Sequence, residues 1–171
     1  MSSKGKLFWA AFTKYLGYHD GNKPVIIKLT NEPDLDNVGY FRPAIMDKKD
    51  IIWVGFKGIG LYRYNTINGD IRHWTEFDGW ATSHVHCIID DIDGNIWTAY
   101  YNKISYFNPQ QGNFINFSIP YSDNDFNYPN SLIRKENGDI LTVVGDDIFQ
   151  LFAKDLSKTP DKIYPAFNSR N

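Results

Sequence analysis

The chain holds 171 residues at a formal charge of −2, with 42% apolar and 16% aromatic residues. That length fits one domain, the apolar and aromatic content excludes disorder, and the absence of a basic stripe excludes nucleic acid as a partner. Isoleucine outnumbers leucine about two to one, with Tyr and Phe plentiful and Met scarce, a composition of strands rather than helices. No apolar run approaches the roughly 18 residues that span a bilayer, so no membrane contact is expected of this segment. The first residues lack the apolar core of a signal peptide. Cys87 is the single cysteine and cannot form an internal disulfide.

The first unit, residues 5–30, begins at Gly5-Lys6-Leu7-Phe8-Trp9-Ala10. An apolar segment, Leu16-Gly17-Tyr18, follows, then a Gly21-Asn22 turn and Val25-Ile26-Ile27. The second unit, 42–75, adds a leading segment, Ala44-Ile45-Met46, and repeats the rest: Trp53 stands 45 residues after Phe8, and Leu61-Tyr62-Arg63-Tyr64, an Asn68-Gly69-Asp70 turn and Ile71-Arg72-His73-Trp74 follow. The third, 84–118, places Trp97 44 residues after Trp53, between Val85-His86-Cys87-Ile88-Ile89 and Ile104-Ser105-Tyr106-Phe107. The fourth, 130–167, has Leu132-Ile133, then Leu141 a further 44 residues on, then Ile148-Phe149-Gln150-Leu151 and a weak last segment at Lys162-Ile163-Tyr164-Pro165-Ala166-Phe167.

Four short strands recurring every 44–45 residues are the pattern of β-propeller blades, where hairpin-linked strands form a sheet that buries its faces only against neighbours. The predicted fold is therefore all-β, a partial propeller of just under four blades in one domain, 1–171. The first blade lacks its inner strand. Phe8, Trp53, Trp97 and Leu141 are the structural anchors, because a residue that recurs at the repeat period is what blade stacking requires.

The units resemble the two-component regulator propeller repeat. Ile52-Trp53-Val54-Gly55 followed by Gly60-Leu61-Tyr62-Arg63-Tyr64-Asn65 carries the likeness best, and Gly94, Ile96-Trp97 and Tyr106-Phe107-Asn108-Pro109 carry it in the third unit. The resemblance implies a periplasmic sensor of a hybrid two-component system of the Bacteroides type, one that detects glycan fragments and controls a histidine kinase. The chain reads as a piece of such a sensor, since further blades, an immunoglobulin-like segment, a membrane span and a kinase have no counterpart here. The third unit is also similar to the repeats of streptogramin lyase, an enzyme alternative. A third alternative is a structural propeller fragment that binds nothing.

No catalytic motif is present, so the chain is expected to act by binding, without cofactor or metal. The run Asp90-Asp91-Ile92-Asp93-Gly94-Asn95 fails the EF-hand pattern at both of its ends and reads as a hairpin turn whose Asp and Asn bond their own backbone. His84 and His86 fall on one face of a predicted inner strand and could meet a ligand in the central channel.

Long loops gather between the outer strand of one blade and the inner strand of the next, at 31–42, 76–84 and 119–130, while the other connections are tight. Loops collected on one face mark a binding face. Their aromatic and planar polar residues suit an oligosaccharide or another small ligand, and Arg42, Asp78, Trp80, Tyr121, Asp123 and Tyr128 are the candidates beside the two histidines. Other expected partners are neighbouring blades or domains of the parent protein and a second copy of the chain, because the end blades leave apolar faces open.

Overall fold

The computed structural model describes residues 8–10, 15–30, 43–119, 131–144 and 147–165, with the backbone alone at 8–10 and 162–165. Four antiparallel sheets follow one another along the chain. Blade 1 is β1 (Phe8–Ala10), β2 (Tyr15–His19) and β3 (Pro24–Lys28). Blade 2 is β4 (Ala44–Met46), β5 (Ile51–Phe56), β6 (Gly60–Asn65) and β7 (Ile71–Trp74). Blade 3 is β8 (Cys87–Asp90), β9 (Ile96–Tyr100), β10 (Lys103–Asn108) and β11 (Asn113–Ser118). Blade 4 is β12 (Leu132–Arg134), β13 (Ile140–Val144), β14 (Asp147–Leu151) and β15 (Asp161–Pro165). Within each sheet every strand pairs with its neighbour in sequence, and the inner strands β4, β8 and β12 lie side by side.

Side chains of a strand alternate between its two faces, and a blade in the middle of a stack must be apolar on both. In β5 all six residues are buried: Ile52, Val54 and Phe56 pack with Leu16 and Tyr18 of blade 1, whereas Ile51 and Trp53 pack with Ile96 and Phe107 of blade 3. β9 divides in the same way, with Ile96 facing back to blade 2 and Trp97 and Ala99 facing forward to Ile140, Phe149 and Leu151 of blade 4. Three inter-blade cores result. Trp53 and Trp97, both 0% exposed, are the largest fully buried side chains among the described residues. Leu141 faces forward from the last blade and is only half-buried, beside Ile133 at 55% exposure. The Phe8 side chain lies outside the described residues.

A buried indole N–H needs an acceptor. Trp53 Nε1 donates to Asp47 Oδ2 (3.1 Å) and Trp97 Nε1 to Asp91 Oδ2 (3.2 Å), so each carboxylate stands six residues before its indole, in the turn between the inner two strands. Its other oxygen accepts backbone N–H groups of the same turn, from Lys49 and Ile51 at Asp47 and from Asp93 and Asn95 at Asp91. The acidic run at 90–95 is thus the predicted self-bonded hairpin turn. Blade 4 has Lys135 and Leu141 where blades 2 and 3 have Asp and Trp. There the buried Gln150 amide bonds Lys135 Nζ (3.3 Å) and Asp139 Oδ2 (2.8 Å) instead.

The glycines of the second unit answer to packing. A Cβ on Gly55 would stand 2.3 Å from Cβ of Val85, which plugs the seam between blades 2 and 3. Three expectations change. The weak last segment forms a full outer strand, β15, paired with β14. Its connection, 152–160, is long rather than tight, because Ala153 and Leu156 fold back onto the core between blades 3 and 4 and Thr159 Oγ1 accepts the Phe152 N–H (2.7 Å). His84 and His86 are not on a strand: β8 begins at Cys87, since Val85 is drawn into the preceding seam, with its N–H donating to the Phe56 carbonyl.

Candidate ligand-binding face

In a four-stranded meander the blade-to-blade connections emerge at the same end as the turns between the two middle strands. The face predicted to bind therefore also carries the turns 57–59 and 101–102. The turn after β9 holds just Tyr101 and Asn102, and two-residue hairpin turns of the I′ and II′ types require positive φ at the first central residue. Tyr101 accordingly sits at φ 50°, a conformation that side chains other than Gly, Asn and Asp rarely adopt.

Around this turn three rings meet. His84 stacks on Tyr100 (centroids 4.7 Å, interplanar angle 23°), and Tyr101 meets Tyr100 edge-on at 4.5 Å. Tyr101 keeps 44% of its surface exposed. The imidazole of His84 approaches the α-carbon side of Gly58, where a Cβ would lie 3.7 Å from its Nε2. Burial, with the Lys57 ammonium second and the Glu76 carboxylate opposing both, lowers the His84 pKa below the ordinary value. Burial and the hydroxyl of Tyr101 raise the Tyr100 phenol above its own. The arrangement offers two phenols, an imidazole, an ammonium and a carboxylate beside flat aromatic surface.

The connection 75–86 that delivers His84 is folded tightly. Thr75 caps a single 3₁₀ turn at Glu76–Asp78: Thr75 N donates to Asp78 Oδ2 (2.7 Å), and Phe77 N donates to Thr75 Oγ1 (3.3 Å). Glu76 Oε1 accepts the Ser83 N–H (2.7 Å) and closes the loop. Asn116 Nδ2 of β11 donates to the Gly79 carbonyl (2.8 Å) and fastens it to blade 3. Phe77, at the crown, is fully exposed.

The predicted site residues are therefore divided. His84 lies in the aromatic cluster and half-buried. His86 is exposed, one residue beyond the buried Val85. Asp78 is a capping carboxylate. Trp80 is corrected most: it is 4% exposed, its Nε1 donates to Thr98 Oγ1 (3.1 Å), and its ring stacks on Phe114 at 5.8 Å, so the indole is core packing between blades 2 and 3 and offers no platform to a ligand. Arg42, Tyr121, Asp123 and Tyr128 lie outside the described residues. Sequence reasoning missed Tyr100, Tyr101 and Phe77. Among the described residues no three His, Cys, Asp or Glu side chains gather as a metal site would require.

The chain matches no family model, and no curated protein matches it in sequence. Solved structures do match. Virginiamycin B lyase from Staphylococcus aureus superposes at TM-score 0.70 with 16% identity, over 96% of this chain and 53% of the lyase. The extracellular domain of the hybrid two-component system BT4673 from B. thetaiotaomicron superposes at 0.61 with 17% identity, over 95% of this chain and 22% of that one. The WD40 β-propeller domain of Doa1 superposes at 0.60 with 17% identity, over 91% of this chain and 49% of that one. This chain thus spans about half of the lyase and about a fifth of the BT4673 domain. At these identities the likeness carries the fold alone: the chain is all-β and has the β-propeller fold, its blades stacked in chain order.

Proposed function

We propose that this chain is a ligand-sensing propeller module of a hybrid two-component signalling protein, working in the periplasm or outside the cell, and that its ligand is a carbohydrate held on the face of His84, Tyr100 and Tyr101. It acts by binding and by altering its packing against neighbouring domains. The observation that carries this reading is Tyr101: an exposed aromatic held at positive φ costs on the order of 1–3 kcal/mol, and a ring at that position that stacks on a sugar gives the strain a use. The fold shared with an extracellular domain of a hybrid two-component system supports the sensing part.

Asparagine accepts the left-handed backbone that tyrosine resists, so Tyr101→Asn separates the two roles. The variant is expected to melt at the same temperature as the parent or higher, and to bind a saccharide selected on a glycan array several-fold more weakly, since one stacking contact contributes about 1 kcal/mol. Calorimetric titration checks this; unchanged affinity removes Tyr101 from the site. One observation favours a lyase reading instead, the electrostatic reach between His84 and Glu76, but the Glu76 carboxylate is committed to the Ser83 N–H.

Self-association belongs to the same proposal. The forward face of blade 4 presents Ile133, Leu141, Val143 and Ile148, an apolar surface that a second copy would cover. Light scattering on a size-exclusion column at micromolar concentration is expected to find a species above monomer mass, and a monomer alone contradicts it.

A further inference from the structure

The opposite face of the molecule, where the turns 47–50, 91–95 and 109–112 emerge, carries a cleft of about 310 Å³ between blades 2 and 3. Its floor is aromatic. Trp53 and Phe107 are fully buried beneath it, and half-buried Trp74 covers both, stacked on Trp53 at 5.8 Å and tilted against Phe107 at 4.9 Å. Its rim is cationic, with Lys49, Arg63 and Arg72.

The charges in the lining are not equally committed. Asp47 spends its carboxylate on three N–H groups, those of Lys49, Ile51 and the Trp53 indole. Asp70 holds both arginines through one oxygen, Oδ2, at 2.8 Å from Arg63 Nη1 and 3.4 Å from Arg72 Nε. Arg72 is bound through its inner nitrogen, so its terminal nitrogens remain to be used, and its side chain is 63% exposed. The Lys49 ammonium makes no ion pair among the described residues. The terminal nitrogens of Arg72 and the Lys49 ammonium thus line a cleft with an aromatic floor, in a volume at the small end of ligand pockets.

We propose that this cleft binds a small ring compound bearing a carboxylate, of the size and class of a hexuronate. The guanidinium of Arg72 takes the carboxylate through its terminal nitrogens, the geometry in which arginine recognises such groups best, with Lys49 as the second charge. The apolar face of the ring lies on Trp74. Asp70 is a positioning residue, which fixes the arginine pair without meeting the ligand. This site is separate from the cluster around Tyr101 and independent of the reading given to it.

Galacturonate and galactose differ at one carbon, a carboxylate against a hydroxymethyl group, and so isolate the charge. Titrated into the ¹⁵N-labelled protein, galacturonate is expected to shift the Trp74 indole N–H and the amides of Lys49, Arg72 and Gln110 along a saturable curve, while galactose at the same concentration does not. Acetate is expected to need about tenfold higher concentration, since it lacks the ring. Arg72→Gln, a change on an exposed outer-strand side chain that leaves the core intact, is expected to weaken galacturonate binding about tenfold, as for a lost charge-assisted hydrogen bond. The proposal is overturned by equal shifts with galactose, by acetate saturating at the same concentration, by unchanged binding in Arg72→Gln, or by no saturable shift at Trp74. Shifts confined to His84, Tyr100 and Tyr101 would overturn it too, while favouring the other face as a sugar site.

Discussion

Trp97→Ala is expected to lower the unfolding free energy by about 4 kcal/mol or more. The indole is wholly buried between blades 3 and 4, and deleting a large aromatic from a core costs roughly 3–5 kcal/mol through lost transfer energy and the cavity left behind. Asp91 Oδ2 loses its indole donor at the same time and keeps only the Asn95 amide, at 3.0 Å. Since blade 4 rests on this core and on an Arg134–Asp90 ion pair of 2.8 Å, the variant should lose β14 amide protection from hydrogen exchange before that of β5. A urea midpoint equal to that of the parent would mean the indole is not where the blades meet.

Gly60→Ala is the second large effect. Gly60 has φ +112°, and a Cβ there would stand 2.1 Å from the Trp74 carbonyl oxygen, an atom of the backbone that cannot rotate aside. Strain at such a φ costs about 1–3 kcal/mol, and the start of β6 must also move away from β7. A loss of about 3 kcal/mol or more is expected in chemical denaturation. Because Trp74 forms part of the floor of the cleft between blades 2 and 3, the same substitution should move the Trp74 indole resonance in the absence of ligand. A variant as stable as the parent would contradict the placement of Gly60.

What the sequence revealed follows from what repeats. Blade stacking demands an anchor at a fixed period, so Phe8, Trp53, Trp97 and Leu141 at 44–45 residues made the strand order and blade count readable. Asp47 and Asp91 carry the same period, but their bonds to the indoles six residues on emerged only from the structure. Trp80 misled because its partners, Thr98 and Phe114, belong to the next blade, and no local pattern distinguishes a loop indole that stacks on a ligand from one that stacks on a neighbour. Asp78 could have been recognised, since Thr75-x-x-Asp78 has the spacing of a capping box. Tyr101 was hidden by a boundary: only when β9 is known to end at Tyr100 and β10 to begin at Lys103 does a tyrosine occupy the position that calls for positive φ. The cleft was hidden for the same reason, as Lys49, Arg72 and Gln110 come from turns and a strand of two blades.

The most direct test of the sensing account is an amide-shift map of the ¹⁵N-labelled protein titrated with neutral oligosaccharides chosen from a glycan array. The account predicts saturable shifts concentrated in residues 57–59, 84–86 and 100–102, which in Tyr101→Asn need a several-fold higher saccharide concentration to saturate. No saturable shift with any saccharide, or shifts that avoid those three segments, would contradict it.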